Sequence, residues 1–156
     1  MKKVVTLALA TVLGIVSYAQ SKTWNVDQSH SKVNFSVSHL MISEVDGIFS
    51  TFKGNITSES NDFSNAKIYF EIDINSINTG NNKRDSHLKS EDFFSVKKYP
   101  KMIFKSTSFK KKKGNKYTLK GNLIMRGITK QVELEVKYGG TAVDSYGNTR
   151  AGFVIA

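Results

Sequence analysis

Cysteine is absent from this 156-residue sequence, and proline occurs only once, at Pro100. Without cysteine the chain forms no disulfides, so its hydrophobic core alone must hold the fold together. A chain of this length is large enough to build one such core as a single domain. The absence of cysteine also removes the thiolate ligands found in most structural zinc sites.

Long apolar runs are absent too, except at the N-terminus. Two lysines precede an apolar run over residues 4–16, and small residues follow at Ser17 and Ala19. This order is typical of a secretory signal peptide cleaved after Ala19. The alternative is a membrane anchor, but the run has 13 residues and a spanning helix needs about 20. We therefore expect residues 1–19 to be a signal peptide, residues 20–156 to be the mature domain, and the protein to be periplasmic.

Acidic residues are few relative to basic ones, and the formal net charge is +10. Four consecutive lysines at residues 110–113, with Lys116, flank Gly114 and Asn115. The Gly-Asn pair predicts a hairpin turn. Such a loop is either a solvated strand end protected by lysines or a contact for anionic lipid head groups. Nucleic acid is a poor partner for an exported protein, so we expect none.

Apolar and polar residues alternate with a period of two along most of the mature sequence. The alternation is strongest over residues 33–37, 66–74, 117–125 and 130–138, and weaker over residues 47–56, 101–109 and 150–156. Strands with one buried face and one solvent-exposed face are typical of antiparallel sheets. Gly54 predicts a bulge or bend within its strand. Turn residues predict loops at positions 58–61, 114–115, 127, 139–140 and 146–148.

One stretch, residues 76–100, breaks this β pattern. Residues 84–90 could form a short helix, and Ser90 or Asp92 could cap a second turn. About seven strands with turns between them predict a sandwich or a barrel, and a helical excursion would then cover one end. The sequence ends inside a predicted strand, so we expect one or two closing strands to be missing.

Several motifs along the chain resemble those of the YceI-like family. They include Trp24-x-x-Asp27-x-x-His30-Ser31, Arg84-Asp85-x-His87-Leu88-x-Ser90-x-Asp92-Phe93-Phe94, Lys98-Tyr99-Pro100 and Asp144-x-x-Gly147-x-x-Arg150-x-Gly152-Phe153. The resemblance implies an all-β fold, an extended lipocalin-like antiparallel barrel, that binds polyisoprenoid chains, quinone tails or related lipids. It also implies export, a C-terminus that extends further, and pairing into a homodimer.

Apolar residues on the predicted dry faces are the candidates for contact with such a lipid. They are Phe35, Val37, Phe49, Phe52, Ile68, Phe70, Ile72, Phe104, Leu119, Leu123, Met125, Leu134 and Val136. A barrel of about eight strands either fills its interior with side chains or holds one small ligand. Periodicity does not separate these two cases, so ordinary core packing remains the alternative. The resemblance favours lipid contact for some of these residues.

Polar candidates are fewer. Arg84 and His87 lie in the helical excursion, and we expect them at the mouth of the barrel, near the polar end of a ligand. The alternative is that Arg84 pairs with Asp85 and pins the excursion. The spacing of the histidines, at positions 30, 39 and 87, matches no compact metal-binding motif, so we expect no metal.

The sequence and the resemblance together predict an exported carrier or store for a polyisoprenoid, isoprenoid quinone or similar long apolar ligand. That isoprenoid or fatty-acid-like lipid would be held non-covalently, with no cofactor and no catalytic step. One alternative is an enzyme acting on a lipid ester or amide through a histidine and a carboxylate, such as His30 and Asp27, although no catalytic signature is present. The other is a membrane-surface protein that contacts anionic lipid transiently through the basic loop.

Overall fold

The structure is a computed structural model that describes residues 20–156. The predicted signal peptide lies outside the described residues. Within them the strands are β1 (Lys22–Asn25), β2 (Val33–His39), β3 (Ser43–Phe49), β4 (Phe52–Ser58), β5 (Lys67–Asp73), β6 (Ile77–Asn78), β7 (Lys101–Lys111), β8 (Lys116–Met125), β9 (Ile128–Val143) and β10 (Thr149–Ile155). Short 3-10 turns span Gln28–His30 and Ile74–Ser76, and one α-helix, α1, spans Asn82–Lys89.

These strands form two antiparallel sheets. The larger sheet has seven strands in the order β1-β4-β5-β7-β8-β9-β10, and the smaller has three in the order β2-β3-β6. The larger sheet curls into a half-barrel. The prediction of an all-β, lipocalin-like fold with a short helical excursion is confirmed.

The larger sheet curls far enough for residues of its two edge strands to contact the same buried ring. Phe63, in the turn after β4, is almost fully buried. Its ring centroid lies 5.4 Å from that of Trp24 on β1 and 5.1 Å from that of Phe153 on β10. Nearby, Arg150 Nη1 on β10 lies 3.3 Å from Asp27 Oδ2, just after β1. We call this region, where β1 approaches β10, the closed end.

The alternation of β5 shows why these segments are strands. Ile68 and Phe70 face the interior, whereas Tyr69 and Glu71 lie on the opposite face. On that outer face Tyr69 donates a 2.8 Å hydrogen bond to Glu71, which also pairs with Lys101 at 2.9 Å. One face therefore contributes to the core while the other satisfies its polar groups at the surface, as expected of half-buried sheets.

The prediction of one strand over residues 47–56 is wrong. The chain leaves the smaller sheet after Phe49 and enters the larger sheet at Phe52. Between them, the N–H of Ser50 donates to the carbonyl of Ser76 at 3.2 Å, and the N–H of Thr51 donates to the Ser76 hydroxyl at 3.0 Å. The 3-10 turn before β6 therefore accepts the hydrogen bonds that a neighbouring strand would otherwise accept from Ser50 and Thr51. The chain can then pass from one sheet to the other.

The prediction of a turn at residues 139–140 is also wrong. Both glycines lie inside β9, and the pairing register with β10 shifts between Gly152 and Phe153. Gly140 has a φ of +104°, which is unfavourable for other residues. The pair therefore forms a bulge that bends a long strand rather than ending it.

Helix α1 begins two residues earlier than the sequence predicts. The Asn81 side chain caps it by accepting hydrogen bonds from the N–H groups of Lys83 and Arg84, both at 3.1 Å. The hydroxyl of Ser90 donates to the carbonyl of His87 at the other end, at 2.7 Å. Across residues 20–156 we find no helix with the length and hydropathy required to cross a membrane.

Candidate functional site

The apolar inner faces divide into two clusters. The first cluster fills the closed end with solid packing. At its centre, the rings of Phe109 and Tyr117 stack with their centroids 4.8 Å apart, and the Tyr117 hydroxyl donates to the carbonyl of Asp62 at 2.6 Å. Among the predicted lipid-contact residues, Ile68, Phe104, Leu119 and Val136 are buried here, and Phe70, Leu123 and Leu134 pack against them.

The second cluster joins the two sheets to the helical excursion. Phe49, Ile74 and Ile77 are buried at its centre. The predicted residues Phe35 and Ile72 pack against it, together with Val33, Leu88, Phe94, Val96 and Met102. The Phe35 and Phe49 ring centroids are 5.4 Å apart, and Phe94 meets Phe49 edge-on at 6.4 Å. The structure therefore brings Phe35, Phe49 and Ile72 together, away from the closed end.

An open groove of about 640 Å³ lies beside the second cluster. It is lined by Gln28, Ser31, Lys32, Val33, Asn34, Phe35, Asp46, Gly47, Ile48, Phe49, Ser50, Phe52 and Asn78. Its aromatic residues include Phe52, which is buried and stacks on Phe70 with a centroid distance of 5.7 Å. Gln28 Nε2 fixes this corner by donating to the carbonyl of Phe52 at 2.6 Å. The groove therefore combines apolar and aromatic walls with polar side chains at its margin.

Two of the predicted residues lie elsewhere. Val37 on β2 and Met125 at the end of β8 are both exposed, and neither lines the groove. The thirteen candidates thus occupy three environments: the closed-end cluster, the second cluster with the groove, and the exposed surface. Of the candidates, Phe35, Phe49 and Phe52 line the groove.

Glycines allow phenylalanine rings to lie flat against the sheets. Gly47 pairs with Phe35 across the β2–β3 hairpin, and a β-carbon at Gly47 would overlap the Phe35 ring. Gly54 pairs in the same way with Phe70. The predicted bulge at Gly54 is therefore absent, because the strand is regular there and the glycine makes room for a ring. Aromatic cover of strand glycines also pins the pairing register.

The polar residues of the excursion are engaged with the backbone around Thr79. Arg84 donates from Nε to the Thr79 hydroxyl at 2.7 Å and from Nη2 to the Thr79 carbonyl at 2.8 Å. Asp85 is buried and accepts from the N–H and hydroxyl of Thr79, at 3.0 Å and 2.6 Å. Arg84 and Asp85 therefore pin the excursion through a shared partner. Asp85 also borders a second, polar cavity of about 430 Å³.

The histidines lie on different elements, and none of them lines the groove. His87 is exposed, pairs with Asp92 at 3.2 Å and meets the Phe93 ring edge-on. His30 pairs with Asp27 at 2.9 Å, and His39 lies at the end of β2. In the described part of the chain, no group of three or more histidine, cysteine, aspartate or glutamate residues is arranged to hold a metal ion.

Asp27 and Asp144 flank Arg150 at the closed end. Pairing with His30, together with the Ser29 N–H and Arg150, holds the pKa of Asp27 below its ordinary range. The backbone N–H of Asn148 and the Arg150 guanidinium lower the pKa of Asp144 to about 2. Arg150 Nε donates to Asp144 at 2.8 Å. The Asp27–His30 pair, weighed as an acid–base set, is thus part of a network that links β1 to β10.

The basic hairpin between β7 and β8 forms as predicted. Lys112 donates its N–H to the carbonyl of Lys116 at 2.8 Å, and Gly114 has a φ of +66°. Lys111 is used structurally, since its ammonium pairs with Asp62 at 3.2 Å. Lys116 lies opposite Lys137 in the β8–β9 pairing, which concentrates positive charge on this part of the surface.

The sequence did not identify the polar margin of the groove. Lys32 precedes β2, whereas Asn34 and Asp46 lie on the outward-facing positions of the β2–β3 hairpin. The alternation of these polar residues with valine and phenylalanine indicated only a solvent-exposed strand face. Nothing in that pattern distinguished groove-lining polar residues from other surface residues.

Comparison with known proteins agrees with this geometry. The YceI-like domain model matches residues 24–155. The protein YceI of Salmonella newport is 37% identical over 154 residues, covering 97% of this chain and 80% of its own. The crystal structure of the Campylobacter jejuni YCEI protein is 35% identical, with a TM-score of 0.66, covering 82% of this chain and 75% of that chain.

A more distant structure shares the fold. The polyisoprenoid binding domain from Saccharophagus degradans has a TM-score of 0.52 and 19% identity, and the match covers 68% of this chain and 62% of that chain. The resemblance noted in the sequence motifs is confirmed. On the extent of the family match and the identity to YceI proteins, the chain belongs to the YceI-like family.

Proposed function

We propose that this protein binds a long apolar lipid, of the polyisoprenoid or isoprenoid-quinone class, and carries or stores it without chemical change. The observation that carries the proposal is the groove with aromatic walls and a polar margin beside Phe35, Phe49 and Phe52. Small-molecule sites have this character, with apolar walls and a few polar groups that fix orientation. Export to the periplasm, as predicted from residues 1–19, is part of the proposal.

The volume and chemistry of the groove suit an alkyl or isoprenoid chain. Its 640 Å³ falls within the range of about 300–1,000 Å³ typical of small-molecule pockets. Each buried methylene contributes about 0.8 kcal/mol, so several isoprene units offset the cost of ordering the chain. Gln28 and Lys32, which line the groove ahead of β2, would meet the polar end. Family membership supports the class of ligand, and the Saccharophagus degradans domain is named for polyisoprenoid binding.

The proposal includes no catalytic step. Asp27 is already engaged by His30, Ser29 and Arg150, and this network joins strands at the closed end. An enzyme acting on lipid esters would predict turnover that falls on His30→Ala. Measured hydrolysis of a lipid ester by the purified protein, sensitive to that change, would favour the enzyme instead.

A matched pair of valine substitutions tests the binding site. Val33 and Val132 are both partly buried and pack against a core cluster, but only Val33 lines the groove. Native mass spectrometry with added geranylgeraniol measures retention, and circular dichroism checks the fold. We expect Val33→Asp to reduce affinity at least tenfold and Val132→Asp to leave it within twofold. No ligand bound by the wild type, or equal affinity in both variants, would contradict this site.

A further inference from the structure

The turn that joins β2 to β3 presents three consecutive apolar side chains to solvent. Leu40, Met41 and Ile42 are 74%, 94% and 85% exposed. Turns between strands usually carry glycine, asparagine, aspartate or serine, because these residues fit the backbone or satisfy it locally. We call residues 40–42 the apolar tip.

The backbone conformation of the apolar tip is also one that leucine and methionine rarely adopt. The N–H of Ile42 donates to the carbonyl of His39 at 3.2 Å, and the two central residues Leu40 and Met41 have φ values of +53° and +61°. A β-turn with positive φ at both central positions favours glycine, asparagine or aspartate there. Leucine and methionine are poor choices for both backbone conformation and solubility. Turn formation therefore does not account for them.

The size of the apolar tip limits what can cover it. Three exposed side chains make a patch of a few hundred Å² on the scale of the patches on monomeric proteins. A standard protein interface needs about 800 Å² from each partner. The tip alone is too small for a stable dimer or a folded partner. A bilayer surface needs no complementary shape, and aliphatic side chains enter its interface readily.

The residues around the apolar tip carry little charge. Ser38, His39 and Ser43 lie next to it, and the nearest acidic side chain, Glu44, accepts a hydrogen bond from Ser36 at 3.0 Å. The lysines of the basic hairpin belong to a different turn. Binding of the tip to a bilayer would therefore depend on insertion of its apolar side chains rather than on attraction to anionic head groups.

One face of the β2–β3 hairpin leads from the tip to the groove, and on it His39 pairs with Ser43 next to the tip. Val37 pairs with Val45, then Phe35 with Gly47, and then Val33 with Phe49. The last two pairs line the groove. An apolar chain leaving a bilayer at the tip would thus pass the His39–Ser43 pair and then meet apolar side chains on the rest of this face.

We propose that the apolar tip inserts into the interface of a phospholipid bilayer and that the groove exchanges its ligand there. The exchange rests on the proposed function, whereas insertion of the tip does not. The two parts are therefore tested separately.

Vesicle flotation tests the insertion. The mature chain, residues 20–156, is mixed with phosphatidylcholine vesicles at low salt and at 0.5 M salt, and the variant carries Leu40→Asn, Met41→Gly and Ile42→Thr. The Asn-Gly pair keeps the hairpin, because it suits the observed turn. We expect the wild type to float equally at both salt concentrations and the variant to bind at least tenfold more weakly.

A control variant removes exposed apolar side chains from another turn and so tests whether binding depends on the tip itself. Val143 and Tyr146, near the β9–β10 turn, are 68% and 89% exposed, and Val143→Thr with Tyr146→Ser should leave flotation unchanged. The inference is overturned if the tip variant floats like the wild type. It is also overturned if binding to the phosphatidylcholine vesicles is lost at 0.5 M salt, or if the tip instead mediates dimerisation in light scattering.

Ligand transfer separates this inference from the proposed function. The tip variant should retain geranylgeraniol in native mass spectrometry but acquire it from vesicles at least tenfold more slowly than the wild type. Unchanged transfer overturns exchange at the tip while leaving the groove as the binding site. Loss of geranylgeraniol binding by the wild type would instead contradict the proposed function, while flotation would still report on insertion.

Discussion

The ring of Phe35 covers Gly47, its partner across the β2–β3 hairpin, so closely that a β-carbon at Gly47 would overlap it. The ring can lie along the strand only because glycine has no side chain. This arrangement keeps the Phe35 ring flat where it borders the groove. The width of the groove therefore depends on a buried glycine.

Gly47→Ala should narrow the groove. The added methyl group forces the Phe35 ring away from the strand, and overpacking of this kind costs about 1–3 kcal/mol of unfolding free energy. We expect geranylgeraniol affinity to fall at least tenfold, measured by native mass spectrometry. Gly121→Ala is the control, because Gly121 lies under Phe104 at the closed end. It should destabilise the fold to a similar extent and leave affinity unchanged.

Leu119→Ala should destabilise the protein without affecting the ligand. Leu119 is almost fully buried in the closed-end cluster, and such truncations cost about 2–5 kcal/mol. Urea denaturation measures the loss, and native mass spectrometry measures affinity. A large drop in affinity at unchanged fold would mean that the ligand reaches the closed end, as the list of candidates from the sequence allowed.

The carboxylates around Arg150 should make stability depend on acid pH. The folded pKa of Asp144 is about 2 against an ordinary value of 3.8, and that of Asp27 is also lowered. The ionised carboxyls therefore stabilise the fold above the ordinary pKa, and this contribution is lost as pH falls towards the folded values. We expect Tm to decline between about pH 4 and pH 2, the usual direction for depressed carboxyl pKa values.

Asp144→Asn should flatten that decline when Tm is followed by circular dichroism. Glu59→Gln is the control, because Glu59 is exposed and makes no hydrogen bond or ion pair within residues 20–156. If Tm declined equally with falling pH in the Asp144 variant and the wild type, the carboxylates around Arg150 would not be the cause of the decline.

Arg84→Ala tests both interpretations of the excursion. Two hydrogen bonds from Arg84 to Thr79 are lost, so we expect stability to fall by about 1–3 kcal/mol while affinity stays within twofold. Lys83→Ala, on the exposed side of the same helix, should change neither. If the folded Arg84 variant loses affinity tenfold, the guanidinium contacts the ligand, as the sequence predicted. His87→Ala tests the second mouth residue in the same assay.

The period-two pattern located most strands because side-chain direction in a strand depends on parity alone. An odd or even position in a strand tells which side of the sheet a side chain faces, but not how deeply the side chain is buried. Leu119 and Phe35 both occupy apolar positions of alternating segments, yet one is core and the other borders the groove. The break at Ser50 was hidden because the apolar residues continue on both sides, and the partner that causes it, Ser76, is distant in sequence.

Glycine gave an ambiguous signal for a physical reason. A glycine can mark a turn, a bulge or a place where a ring needs room, and all three occur here. Gly114 turns the chain, Gly140 bends β9, and Gly54 accommodates Phe70. Only the neighbouring strand distinguishes these roles, and the sequence does not say which strand that is.

The contact of Trp24 and Phe153 with the same buried ring has a kinetic consequence. These residues belong to β1 and β10, so the closed end forms only after the chain has been synthesised through Phe153. Native pairings this remote in sequence slow folding. Since Trp24 is the sole tryptophan, its fluorescence would report the arrival of β10 during refolding.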